Sequence, residues 1–385
     1  MSAAGARSRL LPVPPPPPPP ARFGFRFRAP RRTVQLRLTM LYVGLFLASA
    51  ACLLVVTYFL VAQQLAQNRV MPVAAFVINR TLLRDPRGFR RSCGAAAKRH
   101  GWEPWFAETG EAEGGLAVTR RAVAAGAGLV FAAGGDGTVR ACAEALAGTG
   151  VPLAIVPLGT ANLTARALGV PGRADRAIDA GFEGRDRRID LGCWGGAGID
   201  AGGAGAERGG WAGTERGGGG VFTAMTGIGL DAAVVGAAGQ HVKRRLGWMA
   251  YAVSGVTQLW WPARDFTVRL DGQEPLRRRA RCVVVGNAGL LPGGFTLLPA
   301  ARLDDGLLDV GILAPAGAWG WARVAGRVLA RSARPDGPLE RFQARRVLIS
   351  AEADLPRQVD GEIVAPGRTL GVSVGPHALT VRQPR

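Results

Sequence analysis

Lysine is almost missing from this chain: Lys98 and Lys243 stand alone against a net charge of +20, so nearly all the positive charge is arginine. A coding bias toward arginine explains this as well as a polyanionic partner does. No basic face interleaved with aromatics and no nucleic-acid reading motif accompanies the charge, which excludes nucleic acid as the expected partner and leaves an anionic membrane surface open. Histidine is as scarce. His100, His241 and His377 show no metal spacing and offer no Ser-His-Asp order, so hydrolase chemistry of that type is not expected. The five cysteines are scattered without a C-x-x-C pair, a pattern of reduced thiols in a cytosolic compartment. No acidic residue precedes Asp85.

That acid-free beginning divides into a disordered proline- and arginine-rich segment over 1–37 and an apolar segment over 38–62. Twenty-five residues at about 1.5 Å each exceed the ~30 Å hydrocarbon core, so 38–62 is expected to be a transmembrane helix. It is longer than a signal-peptide core and lacks a small-x-small cleavage site. Arginines before the helix favour a cytoplasmic N-terminus, which would place the chain beyond Ala62 outside. Those from Arg69 to Arg91 offset that bias. Two readings stand: a membrane-anchored protein with its catalytic part on the cytoplasmic side, or a peripheral cytoplasmic protein starting at Met71.

The most informative run is Val130-Phe-Ala-Ala-Gly134-Gly135-Asp136-Gly137-Thr138, followed by Pro157-Leu-Gly159-Thr160-Ala-Asn162. A short apolar strand ending in glycines lets backbone N–H groups approach an anion where a side chain would block them. The helix expected after it, Val139 to Leu146, turns its positive end toward the same anion. Asp136 is the odd member. A carboxylate among phosphate-facing amides calls for a bridging Mg²⁺ or a substrate hydroxyl proton to accept; the plain alternative is an Asp-Gly turn capping the helix.

From Val73 onward strand-like and helix-like pieces alternate, with strands at 73–78, 102–107, 129–133 and 153–156, implying a parallel sheet with ligands beyond its carboxyl ends. This α/β domain is expected over 72–190. Residues 193–220, dominated by glycine and alanine, read as a flexible insertion. Short strands at 221–225, 266–270, 281–286, 308–313, 346–350 and 369–374 then indicate a second, β-rich domain over 221–385, its last strands returning to the first domain.

Together these motifs, with Ile189-Asp190-Leu-Gly192, Gly227-Ile-Gly-Leu-Asp231-Ala, Lys243-Arg-Arg-Leu-Gly247-Trp, Val285-Gly-Asn287, Leu298-Pro299, Asp304-Asp305-Gly306-Leu-Leu-Asp309 and Asp360-Gly361-Glu362, resemble the diacylglycerol kinase catalytic family of bacterial YegS/DgkB-like and sphingosine-kinase-like lipid kinases. The likeness runs over about residues 72 to 383. It implies an NAD kinase/phosphofructokinase-like α/β domain followed by a β-rich sandwich-like domain, and an ATP- and Mg²⁺-dependent phosphotransferase acting on a membrane lipid hydroxyl.

By that resemblance Gly134, Gly135, Asp136, Gly137, Thr138, Val139, Arg140 and Thr160 hold ATP, joined by Thr109 and by Asn79 at the end of the first strand. Relatives continue that strand as Asn-Pro-x-Ser/Thr-Gly, where this chain has Asn79-Arg-Thr-Leu-Leu. The side chain of Asp305 and the carbonyls of Arg302 and Leu307 are implied to hold a structural Mg²⁺. Glu362 is implied as proton acceptor, with Asp136 the other candidate. Each has a plainer reading: Asp304-Asp305-Gly306 is also a tight turn, though adjacent carboxylates repel unless a cation intervenes, and Asp360-Gly361-Glu362 is also a hairpin turn.

Gly227-x-Gly229-x-x-Ala232 imitates a dinucleotide fingerprint, but lacks the acidic residue about twenty positions on and falls in the β-rich half. An NAD-kinase-like soluble small-molecule kinase and a catalytically silent membrane-tethered nucleotide sensor remain as alternatives. The acceptor lipid, diacylglycerol-like or sphingoid-like, stays open, as does assembly, including a homodimer. Trp260 and Trp261 are either core residues or membrane contacts.

Overall fold

The computed structural model describes residues 34–67, 71–110, 114–196, 219–230, 261–291, 294–330 and 337–385. Two units are described separately, Met1–Val70 and Met71–Arg385. Several sequence expectations lie outside the described residues: most of the segment over 1–37, the core of the insertion over 193–220, the motifs from Asp231 to Tyr251, and Trp260.

In the first unit a single helix, α1 (Val34–Gln67), contains a 26-residue apolar stretch, Leu36–Val61. At about 1.5 Å per residue that stretch exceeds the hydrocarbon thickness of a bilayer. Its large apolar side chains, from Leu41 to Phe59, are exposed.

The second unit opens with β1 (Val73–Asn79), α2 (Pro86–Arg99), β2 (Glu103–Thr109), α3 (Gly115–Ala124), β3 (Ala127–Gly134), α4 (Asp136–Leu146) and β4 (Leu153–Pro157). The strands align in parallel as β2-β1-β3-β4. Residues 74–78 and 129–133 are buried in unbroken runs, as expected of parallel strands covered on both faces. One face packs Val77, Val130 and Leu146 under α3 and α4; the other stacks Phe76 on Phe131, ring centroids 4.6 Å apart, near α2. Asp85 starts α2 by accepting from Gly88 N at 2.9 Å, with Pro86 at its first position.

Next come α5 (Leu163–Ala167), α6 (Ala174–Glu183), β5 (Arg185–Gly195), β6 (Gly220–Phe222), β7 (Met225–Gly229), β8 (Arg264–Leu270), β9 (Leu276–Ala280), β10 (Cys282–Gly286), β11 (Leu308–Leu313), α7 (Gly317–Leu329), β12 (Leu339–Ala344), β13 (Arg346–Val359) and β14 (Glu362–Gln383). Strands β12-β11-β10-β7-β13-β14 form an antiparallel series. Near its end β14 pairs with the parallel sheet, Val381 opposite Leu153, so one sheet joins the two halves. The antiparallel half buries Phe222, Ile228, Val283, Val310, Val347 and Val372.

The expected strand over 221–225 is two strands, β6 and β7, because the amides of Thr223, Ala224 and Met225 turn to the Asp360 carboxylate. The fingerprint-like Gly227 and Gly229 lie within β7, paired with Val284 and Cys282 of β10, and Gly229, at φ 101°, is the strand's last residue. Trp261 is half-buried against the cluster of Met225, Val284 and Leu298.

Candidate functional site

Asn79, Thr109, Gly134 and Pro157 end four neighbouring parallel strands, Asn79 level with Thr109 and Gly134 level with Pro157. They bring the two glycine motifs to one edge of the sheet. Gly134 admits no side chain, since an added Cβ would meet Thr138 Cβ at 2.5 Å. At Gly159 an added Cβ would fall 2.6 Å from Gly135 Cα, so the loops touch backbone to backbone. Leu158 N donates to Gly134 O at 2.9 Å. Asn162 takes a left-handed conformation, φ 47°, accepting from Gly159 N at 3.0 Å and donating to Gly159 O at 2.7 Å.

Helix α4 starts directly from this loop with Gly135 as its cap, leaving main-chain N–H groups of its first turn as anion donors. Asn79 Nδ2 reaches Thr138 Oγ1 at 3.4 Å, and its Oδ1 accepts from Thr81 N at 3.2 Å. Thr109 is buried, with Oγ1 3.5 Å from Ile78 O, and Thr160 is exposed on the second loop. Val139 packs its side chain into the core, so what it offers a ligand is main chain.

Asp136 is more than a cap. Its Oδ1 accepts from Leu163 N at 2.8 Å, tying the first loop to the start of α5. Burial, and then the nearby charge of Asp360, push its pKa up to about 7 against the opposing amides of Leu163, Thr164 and Asn162. Asp360 is buried and accepts from Thr223 N at 2.8 Å, Thr223 Oγ1 at 3.1 Å, Ala224 N at 2.8 Å and Met225 N at 3.0 Å. Burial raises its pKa too, opposed by those amides and by Arg140. Thr223 Oγ1 in turn lies 2.7 Å from Thr164 Oγ1. The sequence motifs contained Asp360 and omitted both threonines; only tertiary packing brings these together.

Asp360 and Gly361, at φ 47° and 79°, make the two-residue turn between β13 and β14, with Val359 opposite Glu362. That hairpin places Glu362 over the glycine loop: a Cβ added at Gly137 would lie 3.1 Å from Glu362 Cδ. Arg140 donates to the Glu362 carboxylate and to Val359 O at 3.1 Å. Its guanidinium therefore faces the carboxylate rather than the glycine amides.

Arg302, Asp305 and Leu307 share the loop before β11. Asp304 is held by Arg187 Nη2 at 2.8 Å, which leaves Asp305 as the carboxylate of this pair open to a metal ion. Asp305 Oδ1 accepts from Leu307 N at 3.1 Å. The loop is pinned by fully buried Asp190, which accepts from Gly306 N at 2.7 Å and His377 N at 2.7 Å. Among the described residues no three His, Cys, Asp or Glu side chains gather as a metal site. An Asp305 carboxylate with main-chain oxygens is nevertheless the hard, oxygen-only donor set that suits Mg²⁺. Asp309 nearby has its pKa pushed to about 6 by burial and, more weakly, by Asp305. A pocket of about 380 Å³ adjoins this loop, walled by Ala167, Ala288, Leu298 and Leu303 with Arg187 and Arg302.

Residues 84–194 match the diacylglycerol kinase catalytic domain, and residues 224–383 match the YegS C-terminal NAD kinase beta sandwich-like domain. A "Probable lipid kinase YegS-like" protein of Pseudomonas aeruginosa (strain UCBPP-PA14) is 32% identical over 305 residues, covering 76% of this chain and 89% of that protein. Its namesake in Pseudomonas fluorescens is 31% identical over 297 residues, covering 76% and 90%. A solved structure of a diacylglycerol kinase from Bacillus anthracis str. Sterne shares the fold, with a TM-score of 0.58, 18% identity and coverage of 82% of this chain and 98% of that one.

Proposed function

The chain belongs to the diacylglycerol kinase catalytic domain family, and from that premise we propose that it is an ATP-dependent lipid kinase, transferring the γ-phosphate to a hydroxyl of a diacylglycerol-like or sphingoid-like membrane lipid. The observation that carries this reading is the position of Glu362, a carboxylate set over Gly137 at the mouth of a main-chain phosphate cradle. Phosphoryl transfer needs in-line alignment, neutralised phosphate charge and an acceptor for the hydroxyl proton. The amides of Gly135 to Thr138 and the start of α4 bind the phosphates, with Asn79, Thr109 and Thr160 beside them. Glu362 takes the hydroxyl proton, oriented by Arg140. Asp136 couples the two glycine loops through Leu163 N.

Mg²⁺ accompanying ATP neutralises phosphate charge when bound, and a structural Mg²⁺ is assigned to Asp305 with the carbonyls of Arg302 and Leu307. The pocket beside Arg187 and Arg302, apolar with two guanidiniums, suits the acceptor's polar head above its chains. Helix α1 anchors the protein in the cell membrane, with the kinase unit on the cytoplasmic side, where ATP is. The test is transfer of labelled γ-phosphate from ATP to a panel of extracted lipids, with NAD as a soluble acceptor. Labelled lipid is expected; labelled NADP would favour a small-molecule kinase, and ATP binding without transfer a silent sensor. Unchanged activity in both Asp136→Ala and Glu362→Ala would sink the site assignment.

A further inference from the structure

Helix α7 is apolar on the side it should show to water. Gly320 and Val324 are buried, and Trp321 and Val328 pack on the Val284–Leu339 cluster. On the opposite side Trp319 is 77% and Leu329 70% exposed, while outside α1 no other large apolar side chain among the described residues exceeds the 47% of Ile363. Ala322 and Ala325 complete that surface, and Arg323 is the one charged residue exposed on it. A surface helix of a soluble protein normally carries polar residues there. Half-buried Arg327 lies at its edge, and from Ala314 to Asp336 the sequence has four arginines against one acid, Asp336.

We propose that this face of α7 docks on an anionic bilayer surface, with Trp319 and Leu329 entering the headgroup boundary and Arg323 meeting lipid phosphates. A tryptophan beside an excess of basic residues is the composition of an interfacial helix, and that net positive charge favours an anionic surface as the occupant. The same chain carries a helix long and apolar enough to cross a membrane. The inference rests on the lipid-kinase reading for its purpose: a lipid hydroxyl stays at the membrane surface, and a docked α7 would hold the kinase unit there independently of the anchor.

The test uses the full chain, with exposed Cys52 changed to serine and Ala325→Cys introduced, in vesicles of phosphatidylcholine alone or with one third phosphatidylglycerol. Modification of residue 325 by a membrane-impermeant maleimide is followed by mass spectrometry. It is expected to slow by about tenfold in the anionic vesicles, an effect abolished by Trp319→Glu, kept by Trp319→Phe and reduced about fivefold by Arg323→Gln. Equal rates in both vesicles overturn the proposal. So does a slowing that follows protein density and ignores lipid charge, because a second copy would then be the occupant. Phosphate transfer is measured on the same samples: protection without transfer counts against the kinase, and transfer without protection against the docking.

Discussion

The two halves of the kinase unit build the site in opposite ways. On the parallel side, chain segments meet because they end adjacent strands, and their contacts are main chain: Gly135 on Gly159, Leu158 N on Gly134 O. On the antiparallel side, the contributions are charged side chains delivered by a hairpin tip, and Glu362 meets Arg140 across 222 positions of sequence. Backbone amides have fixed charge, whereas carboxylates change charge with burial and neighbours. The phosphate side therefore depends on shape, and the acceptor side on ionisation.

The largest expected effect tests that division directly. If Glu362 accepts the hydroxyl proton, Glu362→Gln lowers kcat by about 10²–10⁴-fold while leaving the KM for ATP near its original value. Gly134→Ala forces a Cβ onto Thr138 and should raise the KM for ATP strongly. Should Glu362→Gln change kcat less than tenfold while Asp136→Asn abolishes it, the base belongs to the parallel half and the comparison fails.

Next in size is Asp360→Ala. It leaves the amides of Thr223, Ala224 and Met225 without their acceptor in a buried turn, and destabilises by about 3 kcal/mol, read from the denaturation midpoint. The same change removes the negative charge that helps raise Asp136, so the pKa of Asp136 should fall in that variant. A lower midpoint with no movement of Asp136 would leave Asp360 a structural turn residue and nothing more.

This contrast also explains what the sequence revealed. The parallel half was legible because β1, β3 and β4 are largely apolar runs and its site lies in contiguous loops, Gly134–Thr138 and Pro157–Asn162. In the antiparallel half β9, with Arg277, Arg278 and Arg279, carries too much charge to read as a strand. Helix α7 was missed because Gly317, Gly320 and Gly326 mask its period. The Asp360-Thr223-Thr164 contacts join residues far apart in sequence through sheet register, which no local pattern records.

A smaller effect concerns pH. The folded state holds the Asp136 proton up to about 7, against an ordinary value of 3.8, so it binds that proton more tightly than the unfolded chain does. Its contribution to stability is full below the ordinary carboxylate range and is lost as pH rises toward 7. Asp136→Asn, which stays uncharged, should flatten the fall in unfolding midpoint between roughly pH 4 and pH 7. An unchanged slope would mean that Asp136 is ionised throughout, as a metal-linked carboxylate would be.

The smallest effect is that of Arg140→Gln, which loses both the ion pair to Glu362 and the hydrogen bond to Val359 O. Glu362 is largely exposed, so the pair contributes at most about 1 kcal/mol to stability and the unfolding midpoint should hardly move. Activity should respond more, because the guanidinium sets where the carboxylate points above Gly137. A kcat about tenfold lower with an unaltered midpoint is the signature of orientation without structural support. Equal small losses in both would reduce Arg140 to a surface cation, and the acceptor side would then rest on Glu362 and the buried Asp136–Asp360 pair alone.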